Sequence, residues 1–170
     1  FLWALLEGAV GVAPHCDRLL IKPRLPHTWK WVRVCGLPYH GRSISWFLTR
    51  QDSAFRIYTA SDFQTDLPVE RLAEDVSDIV QAQGQGISVT ALAEPDQILL
   101  CVGNTLTSKN PAPLLVRRVL DNARRYRVSL YSSETEHWQQ LGDYFGGVLE
   151  RIALDIEASG FILLRFQPLP

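Results

Sequence analysis

Apolar positions along this chain change their spacing several times. Over residues 1–12, Leu2, Leu5, Leu6, Ala9 and Val10 fall at helical spacing, Phe1, Trp3 and Ala4 fill the other faces, and Glu7 is the one charge. A helix apolar all round belongs inside a larger core. Gly8 and Gly11 weaken it and Pro14 ends it. The chain opens within this segment and without a methionine. The expectation is therefore that the partner of the helix lies upstream, in a preceding domain.

From residue 18 the pattern shortens to β-like runs. The first two are 18–22 and 30–34, with Trp31 alternating against Val32 and Val34, and a turn follows over 37–41. In 43–50, Ile44, Trp46 and Leu48 share one face while Ser43, Ser45 and Thr49 fall mostly on the other. That period of two predicts a strand with one buried face. Residues 55–59 pair with it as a hairpin across Gln51, Asp52 and Ser53. Over 66–82, Val69, Leu72, Val76, Ile79 and Val80 recur at three- and four-residue spacing, Asp62 or Asp66 can cap, Pro68 suits a first turn, and Glu70, Glu74 and Asp75 cluster early. These signals predict one amphipathic helix, stopped at Gly84 and Gly86. β-like runs resume at 87–92, 98–102, 114–120, 126–131, 149–156 and 161–166, with loops over 103–113 and 132–147. Apolar on both faces except at Arg165, residues 161–166 read as a central strand. The whole predicts a mainly β fold: an antiparallel, jelly-roll-like β-sandwich with an N-terminal helical remnant and one internal helix.

Composition narrows the partners. Seventeen basic against 18 acidic residues leave a net charge of −1, so no basic excess calls for nucleic acid. No apolar run reaches the ~18 residues of a membrane-spanning helix. Neither nucleic acid nor membrane is an expected partner. Cys16, Cys35 and Cys101 are far apart and form no Cys-x-x-Cys pair, which argues against a zinc site or a disulfide framework; they are expected as small buried residues. His15, His27, His40 and His137 are scattered. The run Pro14-His15-Cys16-Asp17 gathers ligand types, but sequence neighbours cannot all face one ion, so a turn role is expected and no metal. No nucleophile elbow and no glycine-rich phosphate loop occurs, and no cofactor is expected.

One stretch carries a resemblance. Asp17-x-Leu19-x-Ile21-x-Pro23-x-Leu25-Pro26-x-x-Trp29, followed by Tyr39-x-Gly41, resembles the junction at which an (α/α)6 six-hairpin glycosidase barrel passes into its C-terminal β-domain. The likeness is to glycosidases and disaccharide phosphorylases of the maltose, kojibiose and cellobiose phosphorylase kind. It implies that residues 1–13 end the last helix of an upstream barrel and that 14–170 form the C-terminal β-sandwich domain. It also implies that the general acid and its counterpart lie upstream, so no residue of this chain receives a catalytic role.

Glycosidic chemistry needs two carboxylates across the bond. The pairs on offer are Glu134 with Glu136, the group Glu74, Asp75 and Asp78, and Asp62 with Asp66. Glu74 and Asp78 read as a solvated stripe. Glu134, Glu136, His137 and Trp138 share a polar loop that can contact sugar, since an indole face suits the apolar face of a pyranose. Trp46 reads as core, whereas Trp29, Trp31 and Tyr39 read as an interdomain or sugar-facing cluster. The candidate carbohydrate contacts are thus Trp29, Trp31, Tyr39, Glu134, His137 and Trp138. Three functions follow as expectations. The first is a non-catalytic domain supporting the barrel of its own polypeptide. The second is a carbohydrate-binding module for an oligosaccharide. The third is a stand-alone enzyme using Glu134, Glu136 and His137.

Overall fold

The computed structural model describes residues 2–116 and 119–170. Residues 1, 117 and 118, expected in the first helix and in a strand over 114–120, lie outside them. The fold is mainly β, as the alternating runs predict, and the chain divides into two compact units, Phe1–Arg71 and Leu72–Pro170.

In the first unit, helix α1 spans Leu2–Gly8 and strand β1 (Val12–Pro14) pairs antiparallel with β2 (Leu19–Ile21). The helix therefore stops at Gly8 rather than running to Pro14. Gly11 explains the stop: its φ is +70°, and a Cβ there would lie 1.7 Å from the Lys22 carbonyl oxygen. Only glycine allows the chain to turn so close to its neighbour. Strands β3 (Trp31–Tyr39), β4 (Arg42–Gln51), β5 (Ala54–Thr59) and β6 (Val69–Arg71) form one sheet in that order, the last pair parallel. Both hairpin turns have positive φ at their two central residues, His40 (48°) and Gly41 (74°), then Asp52 (47°) and Ser53 (67°). Mirror-image turns of this kind match the twist of the flanking strands. Leu19, Ile21, Ile44, Trp46, Leu48 and Ile57 build one core with Leu6 of α1.

β4 departs from the one-sided pattern expected of it. Phe47 and Thr49 are as buried as Trp46 and Leu48. On that second face Gln51 Nε2 donates to Thr49 Oγ1 (2.8 Å) and to Tyr58 Oη (2.6 Å), so the buried polar groups satisfy one another.

In the second unit, β7 (Glu74–Asp75), β9 (Ile87–Glu94), β10 (Gln97–Asn104), β12 (Arg125–Ser132), β13 (Trp138–Phe145) and β15 (Phe161–Pro168) make a six-stranded sheet ordered β13-β12-β15-β10-β9-β7. A three-stranded sheet, β14 (Arg151–Ile156), β11 (Asn110–Leu115) and β8 (Gln81–Ala82), shares its core. Leu100, Val102, Ile162 and Leu164 from the larger sheet join Ala112, Leu114 and Ile156 from the smaller. This is a two-layer sandwich. β15 lies between β12 and β10, the central place its two apolar faces predict.

The expected helix over 66–82 is absent. The segment holds β6, β7, a single 3-10 turn at Ser77–Ile79, and β8. Its apolar positions serve two cores, Val69 that of the first unit and Val76 and Val80 that of the second, which produces helical spacing without a helix. Two strands stand where loops are expected. β13 is an edge strand whose polar residues alternate with nothing buried. β11 carries Pro111 and Pro113, which β8 does not reach in register, so no ladder bond is lost there. Of the cysteines only Cys101 is buried; Cys16 and Cys35 are exposed, the latter in a β-bulge beside Gly36.

Candidate functional site

A cleft of about 420 Å³ opens at the end of the β3–β4 hairpin. Three short segments build it. The residues entering β2 supply Asp17 and Arg18, the hairpin turn supplies Tyr39, His40 and Arg42, and the loop after β5 supplies Asp62 and Gln64. Leu19, Ile44 and Phe63 line it between them, and all three are buried members of the core. The result is an apolar floor under a polar rim of both charges.

Each wall is pinned by hydrogen bonds. Tyr39 Oη donates to the His15 carbonyl (2.6 Å), and the Tyr39 and His40 rings sit 4.4 Å apart. Burial first, then the charges of Asp17 and Cys16, raise the Tyr39 phenol above its ordinary value. It therefore stays a donor at neutral pH. Gln64 is clamped to β2 through its backbone, its N–H donating to Leu19 and its carbonyl accepting from Ile21, both at 2.9 Å. Arg71 braces the preceding loop: Nε donates to the Ser61 carbonyl (3.1 Å), Nη2 to that of Phe63 (3.3 Å), and Nη2 lies 3.5 Å from Asp62 Oδ1. A second opening of similar size, around Glu7, Val12, Pro14 and Lys22, is flanked by a lysine already paired with Asp66 at 3.0 Å.

The residues singled out from sequence fall in separate places. Trp46 is fully buried. Trp31 stacks flat on Phe47, centroids 5.3 Å apart, while Trp29 lies in the 22–30 loop, 37% exposed, with its carbonyl accepting from Arg50. Of that group only Tyr39 lines the cleft. Glu134, Glu136 and His137 occupy an exposed turn of the second unit, held by Ser132. His137 donates through Nδ1 to the Thr135 carbonyl (2.6 Å) and accepts at Nε2 from Gln139 (3.0 Å). Trp138 is covered by the Arg165 guanidinium at 4.5 Å. Arg18, His40, Arg42, Asp62 and Gln64 were not among the sugar-contact candidates. The Asp17 and Tyr39-x-Gly41 ends of the motif are the signal that leads to Arg18, His40 and Arg42, since both ends reach this cleft; Asp62 and Gln64 come from the loop after β5 and carry no such signal.

Asp17 and Asp62 are both solvent-exposed. Among the described residues no three His, Cys, Asp or Glu side chains group so as to hold a metal ion.

No family model and no curated protein matches the chain. Among solved structures it overlaps a Paenibacillus polymyxa xyloglucanase of glycoside hydrolase family 44, with xyloglucan, at TM-score 0.35 and 10% identity, over 48% of this chain and 17% of that one. A second structure of that xyloglucanase gives TM-score 0.35 and 11% identity, over 48% and 16%. A catalytic mutant of a family 42 β-galactosidase from G. stearothermophilus gives TM-score 0.26 and 13% identity, over 95% and 24%. All three are glycoside hydrolases, and the chain spans between 16% and 24% of their length. At these scores the likeness fixes neither topology nor site.

Proposed function

We propose that this chain is a non-catalytic β-region of a carbohydrate-active enzyme, a glycoside hydrolase or glycoside phosphorylase. Its reactive carboxylates lie on an (α/α)6 barrel upstream in the same polypeptide. The observation that carries this reading is the run from Asp17 to Trp29 with its Tyr39-x-Gly41 turn, and the structural use made of it. Leu19, Ile21 and Leu25 are buried in one core, and Tyr39 is bonded back to the segment just before the motif. Leu6 of α1 seals that core while its neighbour Leu5 stays 36% exposed, which suits a helix that continues a larger helical body. The carboxylates of Glu74, Asp78, Glu134 and Glu136 are all exposed, as a supporting role allows.

The test is direct. The reading frame upstream of Phe1 is expected to encode paired amphipathic helices over hundreds of residues. The chain alone is expected to cleave neither α- nor β-linked glucosides, with or without phosphate, whereas the same chain joined to the upstream residues does. Turnover by the chain alone, abolished by replacing Glu134, Glu136 and His137 with alanine, overturns the reading in favour of a stand-alone enzyme.

A further inference from the structure

We infer that the cleft between Asp17, Tyr39 and Gln64 is a binding site for a neutral saccharide of one or two hexose units. The choice of ligand class rests in part on the reading above, but the cleft's own chemistry carries it further. At about 420 Å³ the space lies within the range of small-ligand sites. Leu19, Ile44 and Phe63 underlie it and are almost fully buried, so the base of the cleft is apolar and firmly packed.

The rim decides between ligands. An anion entering the cleft meets the carboxylates of Asp17 and Asp62; a cation meets the guanidiniums of Arg18 and Arg42. A hydroxyl group donates and accepts, so it satisfies both kinds of partner at once. Carboxylates and guanidiniums are also planar and two-pronged, the geometry that grips two vicinal hydroxyls. A pyranose has an apolar C–H face for the floor and a ring of hydroxyls for the rim. Of the candidate indoles, Trp31 and Trp138 each have a ring face already taken, by Phe47 and by Arg165, and Trp29, 37% exposed, does not line this cleft.

The site is also built before any ligand arrives. Tyr39 is fixed by its bond to His15, Gln64 by its two backbone bonds to β2, and the Asp62 loop by Arg71. Preorganisation of this kind lowers the ordering cost of binding.

The experiment is an amide-resonance titration of the whole chain with maltose, with cellobiose and with inorganic phosphate. The expected result is a saturable shift of the Tyr39, His40 and Gln64 amides by at least one of the disaccharides, at about millimolar concentration. Arg42→Ala and Gln64→Ala are expected to weaken it about tenfold while the remaining resonances keep their dispersion. Absence of a saturable shift with both sugars up to ~100 mM overturns the inference. So does saturation by phosphate alone, or a shift centred on His137 and Trp138. The two readings fail separately. A barrel encoded upstream with a silent cleft removes only this site; sugar binding here without such a barrel removes only the parent enzyme.

Discussion

The Tyr39 hydroxyl donates to the His15 carbonyl across 2.6 Å and so fastens the β3–β4 turn to the stretch joining β1 and β2. The bond requires the neutral phenol. Because the folded-state value is raised above 10.0, its stabilising contribution is complete below the unfolded value and disappears as pH climbs through the folded one. Tyr39→Phe is expected to lower Tm at neutral pH. It should also remove part of the alkaline loss of stability that the raised Tyr39 phenol predicts for the unaltered protein. Thermal melts of both proteins across that range check the sign; identical alkaline profiles would remove Tyr39 from the account.

Two glycines near the first helix should respond oppositely to alanine. At Gly11 the added Cβ meets the Lys22 carbonyl and the backbone has φ +70°, so Gly11→Ala is expected to cost at least about 2 kcal/mol. At Gly8 nothing lies within 4 Å, and Gly8→Ala in the helix is expected to be neutral or to stabilise by about 0.5 kcal/mol. Urea midpoints for the pair measure the contrast.

Asn104 is fully buried and acts as a hub. Its Nδ2 donates toward the carbonyls of Ser108 (2.8 Å), Ile156 (3.2 Å) and Glu157 (3.0 Å), and its Oδ1 accepts from Leu106 N (2.9 Å). Asn104→Leu keeps the bulk and strips the partners from several buried backbone groups. A loss of roughly 3 kcal/mol is expected, read from chemical denaturation.

Arg71 holds the cleft's loop by a fork that lysine cannot reproduce. Arg71→Lys and Arg71→Ala are both expected to speed hydrogen exchange over residues 61–64. Its contact with Asp62 is largely exposed, so global stability should fall by no more than about 1 kcal/mol. Unchanged exchange in that loop would show that the brace is unnecessary.

What was legible in the sequence followed the strength of each local pattern. Ile44, Trp46 and Leu48 alternate cleanly, and β4 with its hairpin to β5 stands where they put it. Phe161 to Phe166 announced a middle strand because both faces are apolar. The segment 66–82 misled because residues bound for two different cores fell by chance at helical spacing. β13 left no trace because an edge strand with both faces wet has no alternation to display. Of the cleft, Asp17 and Tyr39 could be found through the motif. Arg42 follows the motif's Gly41 directly and could be found the same way; Asp62 and Gln64 could not, since they reach it from the loop after β5 and without periodic signal.

The place of β15 has a consequence for synthesis. Strands β9, β10, β12 and β13 emerge from the ribosome as two separate hairpins, and the strand that stitches β12 to β10 is translated after all of them. Until it arrives, two inner strand margins with unspent N–H and C=O groups stand open, the condition under which nascent β-proteins mispair with one another. The six-stranded sheet can therefore close only once β15, through Pro168, has cleared the exit.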